Sequence, residues 1–366
     1  MRARLEDVCE RGSSNLRQAD VAGRSGDYPI YGASGYIGNV DFYHQKLPYV
    51  AIVKDGAGIG RTALLPAKSS VIGTMQYLLP KKNVLPEYLY YVVRYMHLEK
   101  YFSGATIPHI YFRDYKSEEF NLVPVDYQEE IVATLGKIEA IVAARQRQLQ
   151  KLDELVKARF VELFGDPEFN TMQWPTKKLS ELCAVSSSKR IYQNEQSTEG
   201  VPFLRISDLN ERIDNVKNAP ELFIPINKYN ELKENGLVPT EGDILVTSRG
   251  TLGRCYIVRP EDEFYFQDGM ISWLSDLNSQ ITSVYLSQLF AMSGIQKQIA
   301  SLQAGSTVAY LSITMLKKLN IMLPPLDRQE QFAAFVEQAD KSKVAVQKAL
   351  DEAQLLFDSL MQKYFG

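Results

Sequence analysis

Residues 125–165 read VDYQEEIVATLGKIEAIVAARQRQLQKLDELVKARFVELFG, and this stretch decides the fold. Its apolar residues recur at alternating steps of four and three, with one gap that Arg145 fills: Ile131, Leu135, Ile138, Val142, Leu149, Leu152, Val156, Phe160 and Leu163. This spacing is a heptad seam, which predicts a long helix that pairs with one partner helix. Roughly 37 residues at ~1.5 Å each make a rod of ~55 Å. Such a rod is too long for the interior of an ordinary domain, so we expect it to hold other parts of the chain apart.

The partner helix is expected in the same chain. Residues 326–366 read LDRQEQFAAFVEQADKSKVAVQKALDEAQLLFDSLMQKYFG, and they repeat the first stretch at a constant offset of 201. Gln128 recurs as Gln329, and Phe164 recurs as Phe365. The second seam has one polar break, at Lys343, among Phe332, Val336, Ala339, Val346, Leu350, Ala353, Phe357, Leu360 and Tyr364. A fixed offset over some forty residues indicates an internal duplication.

The start of each long helix is predicted from its flanking residues. Proline precedes both stretches, at 124 and at 324–325, and proline ends the strand before a helix. Asp126 and Asp327 are the expected N-caps, with Glu129 and Glu330 in capping boxes.

The duplication extends beyond the helices. Segments 5–9 and 179–183 are alike, and segments 49–66 and 242–260 both read as a strand, a glycine loop, an arginine and a second strand. Segments 86–102 and 282–299 read as amphipathic helices. Between these elements the halves diverge, because 28–45 is rich in glycine and tyrosine whereas 201–240 is longer and rich in proline and asparagine. We therefore expect four parts: 1–124 globular, 125–165 helical, 166–325 globular and 326–366 helical.

Composition restricts the class of protein. The 366 residues are 45% apolar, which is enough for two or three cores, and no apolar run approaches the ~18–20 residues of a membrane span. Three cysteines without CxxC spacing indicate reduced thiols in a cytoplasmic protein. The net charge of −3 weighs mildly against nucleic-acid binding.

The first glycine loop, DGAGIG at 55–60, is open to three interpretations. It lacks the GK[ST] of a P-loop and the GxGxxG spacing, so a mononucleotide site is the least favoured. A tight turn between strands is the simplest interpretation. The third is that both glycine loops present backbone amides and basic side chains to nucleic acid, namely Lys54, Arg61, Arg249 and Arg254.

No catalytic or metal-binding pattern is evident. The three histidines, His44, His97 and His109, have no partner at a metal-ligand spacing, and neither GxSxG nor HExxH is present. Among the many tyrosines, Tyr31 and Tyr36 lie in glycine-rich turns and are better placed to contact a ligand than those on the predicted helix.

The whole pattern resembles the specificity subunit of type I restriction-modification systems. Two divergent globular segments are each followed by proline, a Leu/Val-Asp-x-Gln-Glu helix start and a long helix. The most specific parts are YPIYGASGYIG (28–38), VPVDYQEEI (123–131), GDILVTSRGTLGR (242–254) and LPPLDRQEQF (323–332).

The resemblance implies a fold and a function. The fold would be α+β, with two target recognition domains separated by two long helices in an antiparallel coiled coil and related by a pseudo-twofold axis. The chain would recognise a bipartite double-stranded DNA target without being an enzyme. It would position methyltransferase subunits, expected to be two and to carry S-adenosylmethionine, together with restriction subunits; the chain itself would need no cofactor. A coiled-coil scaffold whose globular ends bind proteins remains the alternative.

The sequence supplies two sets of candidate site residues. The candidates for DNA contact are Tyr31, Tyr36, Lys54, Arg61, Thr106, Arg205, Arg249, Arg254 and Thr307. The candidates for docking partner subunits lie on the long helices outside the seam: Arg147, Lys151, Glu154, Gln347, Lys348 and Glu352. A solvated charged face is the alternative for the second set.

Overall fold

The computed structural model describes residues 1–104, 108–216, 218–303 and 309–366. These residues form two units, Met1–Arg147 together with Val346–Gly366, and Gln148–Ala345. Each unit combines small β-sheets with helices, and each contains part of both long helices. The α+β class predicted from the sequence is confirmed.

The first half of the chain is a series of short strands that leads into one long helix. Its strands are β1 Arg2–Arg4, β2 Cys9–Ser13, β3 Tyr28–Gly32, β4 Gly35–Val40, β5 Tyr49–Val53, β6 Thr62–Leu65, β7 Ser70–Val71, β8 Met75–Pro80 and β9 Glu119–Asn121. Its helices are α1 Leu5–Val8, α2 Gln18–Val21, α3 Pro86–Tyr95, α4 Phe112–Tyr115 and α5 Val125–Phe164, with a 3-10 turn at Leu98–Tyr101.

The second half follows the same plan. Its strands are β10 Thr176–Lys178, β11 Ala184–Ser186, β12 Val201–Leu204, β13 Phe223–Ile224, β14 Ile244–Thr247, β15 Cys255–Ile257, β16 Tyr265–Phe266, β17 Ile271–Ser275 and β18 Asn320–Met322. Its helices are α6 Ile206–Ile213, α7 Ile226–Glu234, α8 Ser283–Phe290, α9 Ser293–Leu302, α10 Ile313–Lys317 and α11 Leu326–Phe365, with 3-10 turns at Leu179–Glu181 and Gln193–Glu195.

The two halves have the same sheet topology. The four-stranded sheets run β2-β8-β5-β6 and β11-β17-β14-β15, and a two-stranded sheet in each half pairs β1 with β9 or β10 with β18. The three-stranded sheets run β4-β3-β7 and β13-β12-β16, each with one antiparallel and one parallel pair. These last sheets contain the segments whose sequences diverge. The duplication therefore extends to elements that share no recognisable sequence.

The predicted seam packs within each unit. In the first unit Ile131 and Leu135 of α5 share a core with Phe357 of α11. In the second unit Phe160 of α5 lies against Phe332 of α11, with 5.4 Å between ring centroids. The beginning of each helix thus meets the end of the other, which is an antiparallel arrangement.

The polar break in the second seam is compensated by charge. Lys343 Nζ lies 2.8 Å from Asp153 Oδ1 on α5 and 3.3 Å from Asp340 Oδ1 on its own helix. Partial burial lowers the pKa of Lys343, but the two carboxylates outweigh it and the net pKa lies above its ordinary value. The lysine is therefore charged in the helix pair and bound to both neighbours.

The predicted N-caps are wrong. The long helices begin at Val125 and Leu326, so Asp126 and Asp327 lie inside the first turn. The carbonyl of Pro124 accepts from Gln128 N at 3.0 Å, and that of Pro325 accepts from Gln329 N at 3.3 Å. Because an N-cap carbonyl accepts the first helical bond, the prolines occupy the N-cap positions.

The side chains that fix the helix starts are instead two glutamines. Gln128 is fully buried, accepts from Leu85 N at 2.9 Å and donates to the carbonyls of Asn83 and Val123 at 3.0 and 2.9 Å. Gln329 is also fully buried and repeats this pattern with Thr282 N, Gln280 O and Pro324 O, all at 2.9 Å. In each half one side chain therefore attaches the helix to the backbone that precedes α3 or α8.

The repeated phenylalanines end the helices inside globular cores. Phe365 lies 5.2 Å from Tyr88 in the first unit, and Phe164 lies 4.8 Å from Tyr285 in the second, measured between ring centroids. The two tyrosine hydroxyls donate to the carbonyls of Asn121 and Met322 at 2.6 and 3.0 Å. Each unit thus contains the start of one long helix and the end of the other.

The helix predicted over 282–299 is interrupted. Met292 has extended backbone angles and separates α8 from α9. Gly294, at the start of α9, lies against the backbone of Pro167, where a Cβ would approach the Pro167 carbonyl oxygen to 2.6 Å. The break brings α9 against this segment. Among the described residues, no helix has the length and hydropathy required to cross a membrane.

Candidate nucleic-acid interface

The first glycine loop connects two antiparallel strands. It joins β5 to β6, and Gly56, Gly58 and Gly60 all have positive φ angles of 79–86°. Only glycine adopts such angles without strain. Because a strand rather than a helix follows the loop, the loop has the geometry of a turn and not of a mononucleotide cradle.

A charged cluster lies at the base of this loop. Asp55 pairs with Lys54, and its Oδ1 lies 2.7 Å from His109 Nδ1. Burial raises the pKa of Asp55, but the hydrogen bonds from Lys54 and His109 outweigh it and hold the pKa below its usual value. Lys54, a predicted DNA-contact residue, is therefore partly neutralised by its neighbour.

Arg61 lies at the edge of a recess in the first unit. The recess has a volume of about 280 Å³ and is lined by the β3–β4 turn at Ala33 and Ser34, by Gln18, and by Thr74. The guanidinium lies against Gly58, where a Cβ would collide with it, and Nη1 is 3.5 Å from the carbonyl oxygen of Ala33. Arg61 is exposed, and no carboxylate pairs with it in the described part of the chain.

Tyr31 and Tyr36 lie beside this recess on β3 and β4. Their rings meet edge to face at 6.1 Å between centroids, and Tyr36 donates to Asn39 Oδ1 at 3.1 Å. Tyr36 is 60% exposed, whereas Tyr31 is half-buried. The structure therefore brings Tyr31, Tyr36 and Arg61 to one region of the first unit.

The second glycine loop, between β14 and β15, presents a different cation. Arg249 is exposed, and its guanidinium carbon lies 5.1 Å from the ring centroid of Tyr310. An isolated antiparallel β-bridge pairs the backbone of Arg249 with that of Tyr310, and it corresponds to the β-bridge between Asp55 and His109 in the first half. Equivalent backbone positions therefore carry an acid and a histidine in one unit, and an arginine and a tyrosine in the other.

The other two predicted arginines of the second half are engaged by acidic groups. Arg254 Nη1 donates to Asn210 Oδ1 at 2.8 Å, and the guanidinium pairs with Asp214. Arg205 pairs with Asp208 at 3.2 Å and with Glu221 at 2.7 Å. These arginines brace α6 and the strands beside it.

Thr106 and Thr307 lie outside the described residues. Their described neighbours attach to the glycine loops, because Pro108 O accepts from Gly56 N at 3.0 Å and Ser248 O accepts from Leu311 N at 3.0 Å.

Sequence reasoning missed several residues at these surfaces. Gln18 and Thr74 lie far from Arg61 in the sequence, and Thr74 Oγ1 is a buried atom without a hydrogen-bond partner among the described residues. No local pattern marks them. His109 and Tyr310, by contrast, are separated by the same offset of 201 that relates the long helices, which is a signal that could have found them.

The candidate docking residues all lie on the long helices. Arg147, Lys151, Glu154, Lys348 and Glu352 are exposed and Gln347 is half-exposed. Several are bound along their own helix, as in Gln150 to Glu154 at 2.8 Å, Gln347 to Asp351 at 2.7 Å and Lys348 to Glu352 at 3.9 Å. Such i,i+4 pairs are typical of a solvated helix face and leave that face available to a partner.

Within the described ranges, no group of three or more His, Cys, Asp or Glu side chains is arranged to hold a metal ion. The three cysteines are unpaired, and burial raises the pKa of the Cys9 and Cys183 thiols to about 12. Such thiols are poor nucleophiles at neutral pH.

Known proteins resemble this chain over nearly its whole length. The family model for the type I restriction modification DNA specificity domain matches residues 1–154 and 172–353. A putative type I restriction enzyme specificity subunit from Haemophilus influenzae is 24% identical over 361 residues, covering 93% of this chain and 86% of its own. The type I restriction enzyme MjaVIII specificity subunit from Methanocaldococcus jannaschii is 23% identical, covering 82% of this chain and 76% of its own.

A solved structure shows the same fold. The crystal structure of the type I restriction-modification system S subunit from M. genitalium superposes with a TM-score of 0.61 at 17% identity. The match covers 100% of this chain and 96% of that chain. The likeness includes both β-rich halves and the packed long helices.

Proposed function

The chain belongs to the type I restriction-modification DNA specificity family, and from this premise we propose that its two halves read the two parts of an asymmetric, bipartite DNA target. It is the non-catalytic DNA specificity subunit of a type I restriction-modification system. The scaffold alternative considered from the sequence has no observation in its favour.

The observation that supports an asymmetric target is the contrast between equivalent positions. The same strand order and the same loop connection carry Asp55 with His109 in one unit and Arg249 with Tyr310 in the other. Base edges are recognised by the donors and acceptors that face them. Surfaces with such different side chains are expected to select different bases.

The DNA-contact surface of each half is proposed to lie at its glycine loop. In the first half Tyr31, Tyr36 and Arg61 lie in one region and Lys54 lies at the base of the loop, and in the second half Arg249 is exposed. Phosphate contacts fix the position of a protein on DNA, whereas base contacts give specificity. The near-neutral net charge is consistent with phosphate contacts made largely by other subunits.

The long helices are proposed to hold the two reading surfaces apart and to dock the other subunits. Their exposed faces carry the residues Arg147, Lys151, Glu154, Gln347, Lys348 and Glu352. Two methyltransferase subunits are expected, one for each pseudo-symmetric face, together with restriction subunits. S-adenosylmethionine would be bound by the methyltransferase partner, which also supplies the catalytic groups.

Selection from a randomised DNA duplex pool tests this proposal. The chain is reconstituted with its methyltransferase partner, and bound duplexes are sequenced at several salt concentrations. We expect one motif with two unlike half-sites and a spacer of fixed length. A palindromic motif, or a single uninterrupted one, would contradict the proposal.

A further inference from the structure

Arg61 and Arg254 occupy equivalent places in the two halves but are held differently. Each follows the last glycine of its loop, at Gly60 and at Gly253. Arg254 donates to Asn210 and pairs with Asp214, both on or beside α6. Arg61 has no carboxylate partner among the described residues, and no helix follows β3 in the way that α6 follows β12; the hydrogen bond from Arg61 to Ala33 O, at 3.5 Å, is long and weak.

The recess beside Arg61 is suited to a base edge. Arg61 lines it together with the β3–β4 turn, Gln18 and Thr74. A guanidinium carries five N–H donors in a planar fork, and here most of them have no acceptor among the described residues. Thr74 also lines the recess, although its hydroxyl oxygen is buried and has no hydrogen-bond partner among the described residues.

Arg249 is a second exposed guanidinium, but it lies at the start of the second glycine loop, whereas Arg61 follows the end of the first. Its guanidinium stacks over Tyr310, and stacking on an aromatic ring holds the planar fork of an arginine in a defined orientation. No carboxylate pairs with Arg249 in the described part of the chain. Each glycine loop is therefore accompanied by an arginine that has no carboxylate partner among the described residues, and the two arginines lie at different positions of their loops.

We propose that Arg61 in the first half and Arg249 in the second each read a guanine, and that Arg254 is a structural brace that does not contact DNA. This assignment rests on the proposed function and specifies its site. Arginine contacts guanine O6 and N7 through two parallel hydrogen bonds, which requires an unpaired and oriented fork. Arg254 could make those bonds only by giving up Asp214 and Asn210.

The test uses the chain with its methyltransferase partner and the selected duplex as the probe. Arg61→Ala is expected to lower discrimination at one base pair of the first half-site by roughly 5- to 150-fold and to leave the second half-site unchanged. Arg249→Ala is expected to do the same in the second half-site only. Arg254→Ala is expected to lower the Tm while preserving the selected sequence.

Lysine variants separate base reading from phosphate contact. Arg61→Lys keeps the charge but replaces the planar fork by an ammonium group, which can also donate to guanine O6 and N7, so discrimination at the same base pair should fall by less than it does for Arg61→Ala. A phosphate contact would leave discrimination unchanged in both variants. The assignment is overturned if Arg61→Ala weakens all duplexes equally or if Arg254→Ala alters the selected bases. Failure of the unaltered chain to select any split motif would instead contradict the proposed function itself, so the two failures are distinguishable.

Discussion

Replacing Gln329 by methionine tests how the long helices are attached to the globular parts. The three hydrogen bonds of the buried Gln329 side chain, all at 2.9 Å, would be lost, while the side-chain length is kept. At ~1 kcal/mol for each bond, the free energy of unfolding should fall by about 3 kcal/mol. A domain of 150–250 residues shifts its Tm by ~2–4 °C per kcal/mol, so the transition of the unit Gln148–Ala345 should move down by roughly 6–12 °C.

The control for this variant lies two residues away on the same helix. Gln331 is exposed, and Gln331→Met should change the stability by less than ~0.5 kcal/mol. Scanning calorimetry of the full chain provides the measurement, and Gln128→Met should produce the same loss in the other unit. Equal Tm values for Gln329→Met and Gln331→Met would show that the buried Gln329 side chain does not stabilise the attachment of the helix.

The glutamate variant adds a pH dependence of known sign. Gln329→Glu keeps an acceptor but removes both donors, and burial raises the pKa of a carboxyl group in the folded state. Protons are then bound more tightly in the folded than in the unfolded chain, so stability falls as the pH rises through the folded pKa. Relative to Gln329→Met, the glutamate variant should therefore become more stable toward low pH.

Three further predictions concern the long helices. Inserting seven residues after Gln148 and seven after Ala349 keeps the heptad pattern and lengthens the pair of helices by about 10 Å. Selection from a random duplex pool should then give the same two half-sites, separated by a spacer up to roughly three base pairs longer. Changed bases in a half-site with an unchanged spacer would contradict this. Lys343→Leu should leave the Tm equal or higher, because leucine continues the apolar seam while the carboxylates of Asp153 and Asp340, which are 60% and 59% exposed, stay solvated without the lysine; a fall of more than about 5 °C would oppose this. Charge reversal at Arg147, Lys151 and Glu154 together should abolish co-purification with the methyltransferase subunit. Charge reversal at the exposed control residues Glu199, Glu241 and Glu261 should leave co-purification intact. If the helix variant still co-purifies, the alternative of a solvated helix face is supported.

The periodic parts of the fold were predictable from sequence because they depend on local spacing. The seam at Ile131, Leu135 and Ile138 is buried as the heptad pattern predicted. Met361 and Phe365 are also buried but lie off the paired seam, because the end of α11 contacts a globular core as well as α5. A heptad pattern describes only the contact between two helices, so it cannot predict the additional contact with the globular core.

At the start of each long helix, the sequence repeat identified the glutamine but did not reveal its structural role. Gln128 and Gln329 stand at the fixed offset, yet the short-range capping rule favoured Asp126 and Asp327. The glutamines bind backbone groups up to 49 residues away, and such partners are fixed only by tertiary structure. The local rule therefore selected the wrong residues.

The candidate site was the least predictable part. Basic residues after the glycine loops could be identified, but whether each is free depends on distant groups. Arg254 is neutralised by Asp214, 40 residues earlier, and Arg61 is not paired in this way because the divergent segment of the first half contains no matching helix. Strand order in the divergent segments was likewise hidden, since pairing between short strands is set by nonlocal contacts.

Exchange of one half of the chain tests whether each half reads its own part of the DNA target. Residues 1–124 are replaced by the corresponding segment of another family member whose DNA target is known, and the chimera is assayed with the methyltransferase partner by selection from a random duplex pool. One half-site should change to that of the donor, while the other half-site and the spacer length stay the same. A simultaneous change in both half-sites, or no change in either, would contradict the claim that each half reads its own part of the target.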